Sequence, residues 1–310
     1  MTEASRECER GAGPSLALTT PLTAPAGHTL LPGVIDRHVH LGLVDHAPLT
    51  GGALVEVHDL GWSPAQAAVW RATPPGDVVV RAVGPFHTAP GGYPTGRSWA
   101  PTDSVRAVRG VEDAREAVRE VAAAGLDGVK ITLHTAMPLL PDETLRALVE
   151  AAHAAGLPAL VHAEGPGQAA RAIDAGADVL VHAPWSEPLP EDVLERGAHM
   201  TWISTLAIHD EPDRSVAIDN LRRFREIGGT VVYGTDMGNG PMPVGPVPAE
   251  IRLLERAGIT GDELVAAVMG PTDGLTPERA LVSPCPLPRT ADELIDWLDR
   301  ATRLTTWETP

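Results

Sequence analysis

Cysteine is nearly absent from this 310-residue chain, which carries only Cys8 and Cys285, near opposite ends. Neither a disulfide framework nor a thiolate zinc site is indicated, since each needs cysteines at partner spacing, and a reducing cytoplasm is the expected setting. Lysine is scarcer still. Of 24 basic side chains, 23 are arginine and one is lysine, Lys130, although lysine ranks among the commonest residues of soluble proteins. The one retained primary amine is therefore the first position to explain. The 41 acidic side chains leave a net charge of −17, and no basic block interrupts them. That balance argues against nucleic acid, whose phosphates demand clustered Lys and Arg, and against an anionic membrane surface. A small-molecule substrate remains, and a homo-oligomer is left open. Long apolar runs are missing too. Residues Ser15 to Ile35 lack charge, but Pro21, Pro25 and Pro32 break the stretch, so it is not a membrane span. The first ten residues hold three Glu and two Arg without an apolar run, which is not the pattern of a secretory signal.

What is present is a repeating pattern. Short apolar runs alternate with amphipathic helical stretches, the signature of strand-helix units around a parallel sheet. Eight strands are expected near residues 29–37, 53–58, 77–83, 127–132, 158–162, 178–182, 199–203 and 230–235. Helices are expected over 111–124 and 142–155, after residues 166, 213 and 246, and over about 292–302. Eight such units fit an α/β fold of the (β/α)8 TIM barrel type more economically than an open sheet. The Gly- and Pro-rich segments 84–110 and 238–248 read as loops overhanging one mouth. The expected organisation is an N-terminal extension (1–28), the barrel (29–282) and a C-terminal helical tail (283–310).

In such a barrel, chemistry sits at the carboxyl ends of strands. The first strand ends in Ile35-Asp36-Arg37-His38-Val39-His40; strand alternation points His38 and His40 the same way, able to grip one metal ion. Lys130, His162, His182 and Asp236 likewise end the fourth, fifth, sixth and eighth strands. A hydrogen-bonded histidine or a buried ion pair would account for any one of them. Structure alone does not account for six such groups on five strand ends.

The motif Gly-Val-Ile-Asp-Arg-His-Val-His (33–40), the strand-end lysine in Ala-Gly-Leu-Asp-Gly-Val-Lys-Ile (124–131), Val-His-Ala-Glu-Gly (161–165) and Val-Tyr-Gly-Thr-Asp-Met-Gly (232–238) resemble the amidohydrolase superfamily, in its imidazolonepropionase-like and metal-dependent prolidase-type branch. The resemblance spans roughly residues 30–282. It implies that His38, His40 and Asp236 bind one divalent metal ion, that His162 and His182 bind a second, and that Lys130, carboxylated by CO2, bridges them. Zn2+ is the usual ion for imidazole and carboxylate ligands, with Mn2+ or Fe2+ also compatible. The implied activity is that of a binuclear hydrolase cleaving an amide, lactam or peptide-like C–N bond through a bridging hydroxide. Asp236 would move the proton. A neutral primary amine forms a carbamate, and burial among cations drives a lysine toward that neutral state; guanidinium cannot take this role.

His58, His87, Tyr93, His134, Trp185 and His209 fall after strands and are the candidate substrate contacts; Met137 and Phe86 would line an apolar mouth. His28, His153 and His199 read as structural. Several features depart from the branch. The usual accessory β-sandwich is expected to be lost or vestigial. Tyr93 and Glu164 stand where histidines are common, and His58 stands where an arginine is. The metal set is intact while the substrate contacts are altered, which points to a nonstandard substrate. A metal-dependent decarboxylase or lyase, a Schiff-base lyase built on Lys130 and a non-catalytic binding protein remain as alternatives.

Overall fold

The computed structural model describes residues 22–273 and 275–306; Cys8 and most of the expected N-terminal extension lie outside them. The expected first strand is two strands, β1 (Thr29–Pro32) and β2 (Val34–Val39), separated at Gly33. A side chain at Gly33 would occupy the space of Val55. β2 runs parallel to β3 (Leu54–Asp59), and β3 to β4 (Val79–Ala82). The chain continues as β5 (Phe86–Thr88), β6 (Val105–Ala107), β7 (Val129–His134), β8 (Ala159–Glu164), β9 (Val179–Leu180), β10 (Thr201–Ile203) and β11 (Thr230–Val232). These seven form one parallel sheet in the order β11-β10-β9-β8-β7-β5-β6. Segment 84–110 is thus not wholly irregular, since β5 and β6 extend the sheet.

Backbone bonds join the two parallel sheets at two places, beside β7 and beyond β11. Asp127 N donates to Ala82 O (2.9 Å) on one side; Arg37 N donates to Tyr233 O (3.2 Å) and His40 N to Met237 O (2.7 Å) on the other. The arrangement is a mixed α/β fold compatible with a TIM-like barrel.

Nine helices stand among the described residues: α1 (Pro64–Ala72), α2 (Val111–Ala123), α3 (Asp142–Ala154), α4 (Gln168–Asp174), α5 (Glu191–Arg196), α6 (Asp213–Glu226), α7 (Pro248–Arg256), α8 (Gly261–Val268) and α9 (Ala291–Asp299). α3 illustrates why they form. Asp142 and Glu143 sit in the first turn, where the helix dipole favours acids, and Gly156 follows the helix at φ 70. Leu145, Leu148, Val149 and Ala152 form its buried stripe, each large side chain contributing about 1.5–3 kcal/mol. No helix among the described residues is long and apolar enough to cross a membrane.

The chain's two ends meet in a separate sheet. β1 pairs antiparallel with β12 (Ala280–Ser283), which pairs with β13 (Thr302–Arg303). β12 crosses the boundary expected at residue 282, so the tail begins inside a strand and is not purely helical. It is docked: Trp297 is fully buried with its Nε1 donating to Thr29 Oγ1 (2.7 Å), and Arg303 donates to the carbonyls of Gly52 (3.0 Å) and Asp77 (3.1 Å). One three-stranded sheet is what the described residues retain where a sandwich is common.

Candidate active site

The ends of the parallel strands deliver His38, His40, Lys130, His162, His182 and Asp236 into one cavity of about 480 Å3. All six are buried. His38 Nδ1 lies 2.8 Å from Val181 O, and His40 Nδ1 lies 3.2 Å from Gly61 O. A carbonyl only accepts, so these ring nitrogens carry the protons and each Nε2 presents a lone pair. Those Nε2 atoms lie 3.2 and 3.3 Å from Asp236 Oδ1. His38 Nε2 and Asp236 Oδ1 are buried without a hydrogen-bond partner, an arrangement of converging acceptors that a cation resolves. The ligand atoms of His38, His40 and Asp236 all lie within 4.8 Å of one another, so the donor set fits a divalent metal.

The other three groups adjoin them. The His182 ring stands 4.6 Å from His38 and 5.0 Å from His162, centroid to centroid, and its Nδ1 is 2.8 Å from Thr205 Oγ1. Burial holds His38 and His182 well below the ordinary imidazole range and lowers His162. Burial also pushes Lys130 down to about 7, opposed by the charges of Asp236 and Asp59. Asp236 moves the other way: burial raises it, but His38, His40 and His182 together hold it well below the carboxylate range. Neutral imidazoles, an accessible neutral amine and an anionic carboxylate are the protonation states that metal ligands require.

Buried supports hold these groups in place. Asp36 accepts from His38 N (3.1 Å), Thr235 N (3.0 Å) and Thr235 Oγ1 (2.5 Å), tying β2 to the turn after β11. Asp59 accepts from Leu41 N (2.8 Å) and Gly61 N (3.3 Å). Glu250 of α7 accepts from Leu206 N (3.0 Å) and Ala207 N (2.7 Å), fixing the turn that carries Thr205. Asp236 and Thr205 are the two non-glycine residues with positive φ among the described residues, at 55 and 42. Such backbone costs of order 1–3 kcal/mol and persists where the surroundings impose it. Both lie at this site.

The expected substrate contacts divide. Tyr93, Trp185 and His209 line the cavity, Tyr93 stacking on His162 at 5.2 Å and Trp185 on His209 at 4.6 Å. His134 stands one layer back, 3.3 Å from Glu164 Oε1. His58 and His87 are not in the lining. His58 bonds Glu56 at 2.9 Å, a carboxylate also held by Arg81 and Arg279. Strand alternation puts His58 on the face of Leu60, two residues on. Leu60 packs with Leu160, Val181 and Ile203 in an apolar cluster, and Leu160 itself precedes His162 by two. His58 therefore lies across that layer from the cavity. In β5 the same alternation sends Phe86 to the cavity and leaves His87 on the opposite face, fully buried with Nδ1 2.9 Å from Lys130 O.

The sequence reading missed Trp99 as a lining residue, anticipated Asn239 only as part of the loop at the mouth, and counted Glu164 only as a departure. It also missed Asp36, although an acid two residues before His38 shares its strand face. Asn239 Nδ2 donates to Asp236 Oδ2 at 2.9 Å. Burial raises Glu164, but the hydrogen bond to His162 and the neighbouring histidines outweigh it and hold it below its ordinary value.

His87 provides a test of the buried arrangement. Burial lowers it to about 4 from 6.5. Below 6.5 the unfolded chain binds a proton that the folded chain refuses, so this stability is full above pH 6.5 and lost as pH falls toward 4. The loss amounts to about 3 kcal/mol. Urea midpoints measured from pH 7 to 4.5 should fall less steeply in His87→Leu than in wild type; parallel slopes would show that His87 is not held neutral by burial.

The parallel α/β fold that carries this His/His/Asp group is shared with solved structures. Among solved structures, an Xaa-Pro dipeptidase with bound methionine in the active site superposes with a TM-score of 0.70 at 21% identity, over 91% of this chain and 87% of that one. Ochratoxinase of A. niger matches with a TM-score of 0.67 at 19% identity, over 88% and 81%. Phenylurea hydrolase B matches with a TM-score of 0.60 at 16% identity, over 78% and 74%. These relatives are prolidase-like and amidohydrolase-type proteins, and at such identities the likeness is one of fold. No protein-family model matches the chain, and no curated protein does.

Proposed function

We propose that this protein is a binuclear metal-dependent hydrolase of the amidohydrolase superfamily, acting on an amide, lactam or peptide-like C–N bond of a small molecule. Its two parallel sheets close into one (β/α)8 barrel, with residues 29–282 as the catalytic unit. The observation that carries the reading is the convergence of partnerless His38 Nε2 and Asp236 Oδ1 beside neutral histidines and the only lysine. His38, His40 and Asp236 would hold one metal, and His162 and His182 would hold the second. Lys130 would join CO2 through its neutral amine, release a proton and serve as an anionic carbamate ligand. When bound, the two ions, Zn2+ by the donor set, supply Lewis acidity and acidify water. Asp236 stays anionic at neutral pH and is oriented by Asn239. It takes the proton of the attacking water as the C–O bond forms and delivers it to nitrogen as the C–N bond breaks.

Incubating the metal-loaded protein with N-acyl amines, lactams and dipeptides should release one amine per molecule of substrate consumed. Release of CO2 from carboxylated analogues without amine would replace hydrolysis by decarboxylation. Inertness of the metal-loaded protein toward the whole panel would remove the hydrolase reading.

A further inference from the structure

Apart from the six groups assigned to the metals, the cavity wall is aromatic and nearly uncharged. Phe86, Tyr93, Trp99 and Trp185 form its sides, and among the remaining lining residues Glu164 is the one formally charged side chain. No arginine among the described residues lines it; Arg97 lies 5.7 Å from the Tyr93 ring without joining the lining. A substrate carboxylate would find neutral donors such as His209 and Asn239 but no cationic partner on this wall, and would face Glu164 as a like charge.

Glu164 itself lacks a full set of partners. Its Oε1 lies 3.3 Å from His134 Nε2, and its Oε2 lies 3.2 Å from His162 Nε2. A carboxylate one-third exposed in side chain and set in an aromatic cavity has lone pairs open to a cation. Aromatic faces attract the same kind of group.

We propose that the substrate carries an ammonium or amidinium group at the end remote from the scissile bond, and that Glu164 with the aromatic wall selects it. The proposal rests on the reading of this cavity as a hydrolase site. The cavity of about 480 Å3 accommodates one small molecule of this kind.

The test uses three matched benzyl amides that differ only at the para position: aminomethyl, carbamoyl or carboxylate. Binding to the metal-loaded protein is read by quenching of tryptophan fluorescence, since Trp99 and Trp185 stand in the wall, and KM is read where turnover occurs. The aminomethyl compound should bind at least about tenfold tighter than the carboxylate, the scale of one charge-assisted contact. Glu164→Gln should lower the aminomethyl-to-carbamoyl ratio at least about fivefold, with metal content measured alongside. If that variant loses metal, Trp99→Leu is read instead, and the same ratio should fall about threefold. Tightest binding by the carboxylate, or a ratio untouched in the metal-replete variant, would overturn the proposal. Selective binding without turnover upholds it and counts against hydrolysis, so the two readings fail separately.

Discussion

Asp236→Asn should lower kcat by about 10²–10⁴-fold, the span that general acid–base catalysis contributes, while the protein keeps its fold and most of its metal. The amide keeps an oxygen that can face His38 and His40, whose Nε2 atoms lie 3.2 and 3.3 Å from Asp236 Oδ1. It keeps the size required at a backbone position held at φ 55, a conformation in which asparagine is better tolerated than most residues. What it loses is the ability to accept and release a proton. The comparison therefore separates binding from chemistry: single-turnover rates should collapse while metal content stays near wild type. Turnover within threefold of wild type would show that Asp236 does not move the proton.

The second large effect concerns Lys130. It is buried at 1% exposure with its pKa pushed down to about 7, chiefly by burial, so a large share of the amine is neutral under ordinary conditions. Metal analysis of wild type purified with bicarbonate should find about two ions per chain, the number that a bridged site holds. Lys130→Arg should hold fewer, because guanidinium neither deprotonates nor forms a carbamate. Native mass spectrometry should find the mass of one added CO2 on wild type and none on the variant. Equal metal occupancy in the two proteins would remove the bridging role. The Arg variant also buries a permanent charge, so Lys130→Gln, neutral and similar in length, is measured beside it, and it too should bind fewer ions.

Most of the framework was legible in the residues. The eight expected parallel strands are present as β2, β3, β4 and β7–β11, because buried parallel strands read as apolar runs between turn residues. The helices over 111–124 and 142–155 end within a residue of expectation, since glycines at 125 and 156 mark their ends. The small sheet was not legible. β1 and β12 pair across some 250 residues, and β13, which pairs with β12, is two residues long, too short for any period to register. The division of strand 29–37 at Gly33 follows from Val55 occupying the space of a side chain, a fact about a neighbouring strand.

The site divides along the same line. Which six groups end strands could be read from alternation and strand ends, and the structure gathers all six in one cavity. His58 and His87 also follow strands, but one lies across an apolar layer and the other on the outer face of β5. Depth along a strand and the side a loop residue takes are set by the register of neighbouring strands, which a single chain does not record. Glu250 and Thr205 are the converse case: 45 positions apart, they are linked through the Leu206 and Ala207 amides. The sequence by itself determined the strand-helix repeat, the ligand types and the single amine, because periodicity and chemical identity are local properties. Only the tertiary structure decided which groups face one another, which lone pairs are left without partners and which charge the cavity presents, because burial and distance belong to the folded whole.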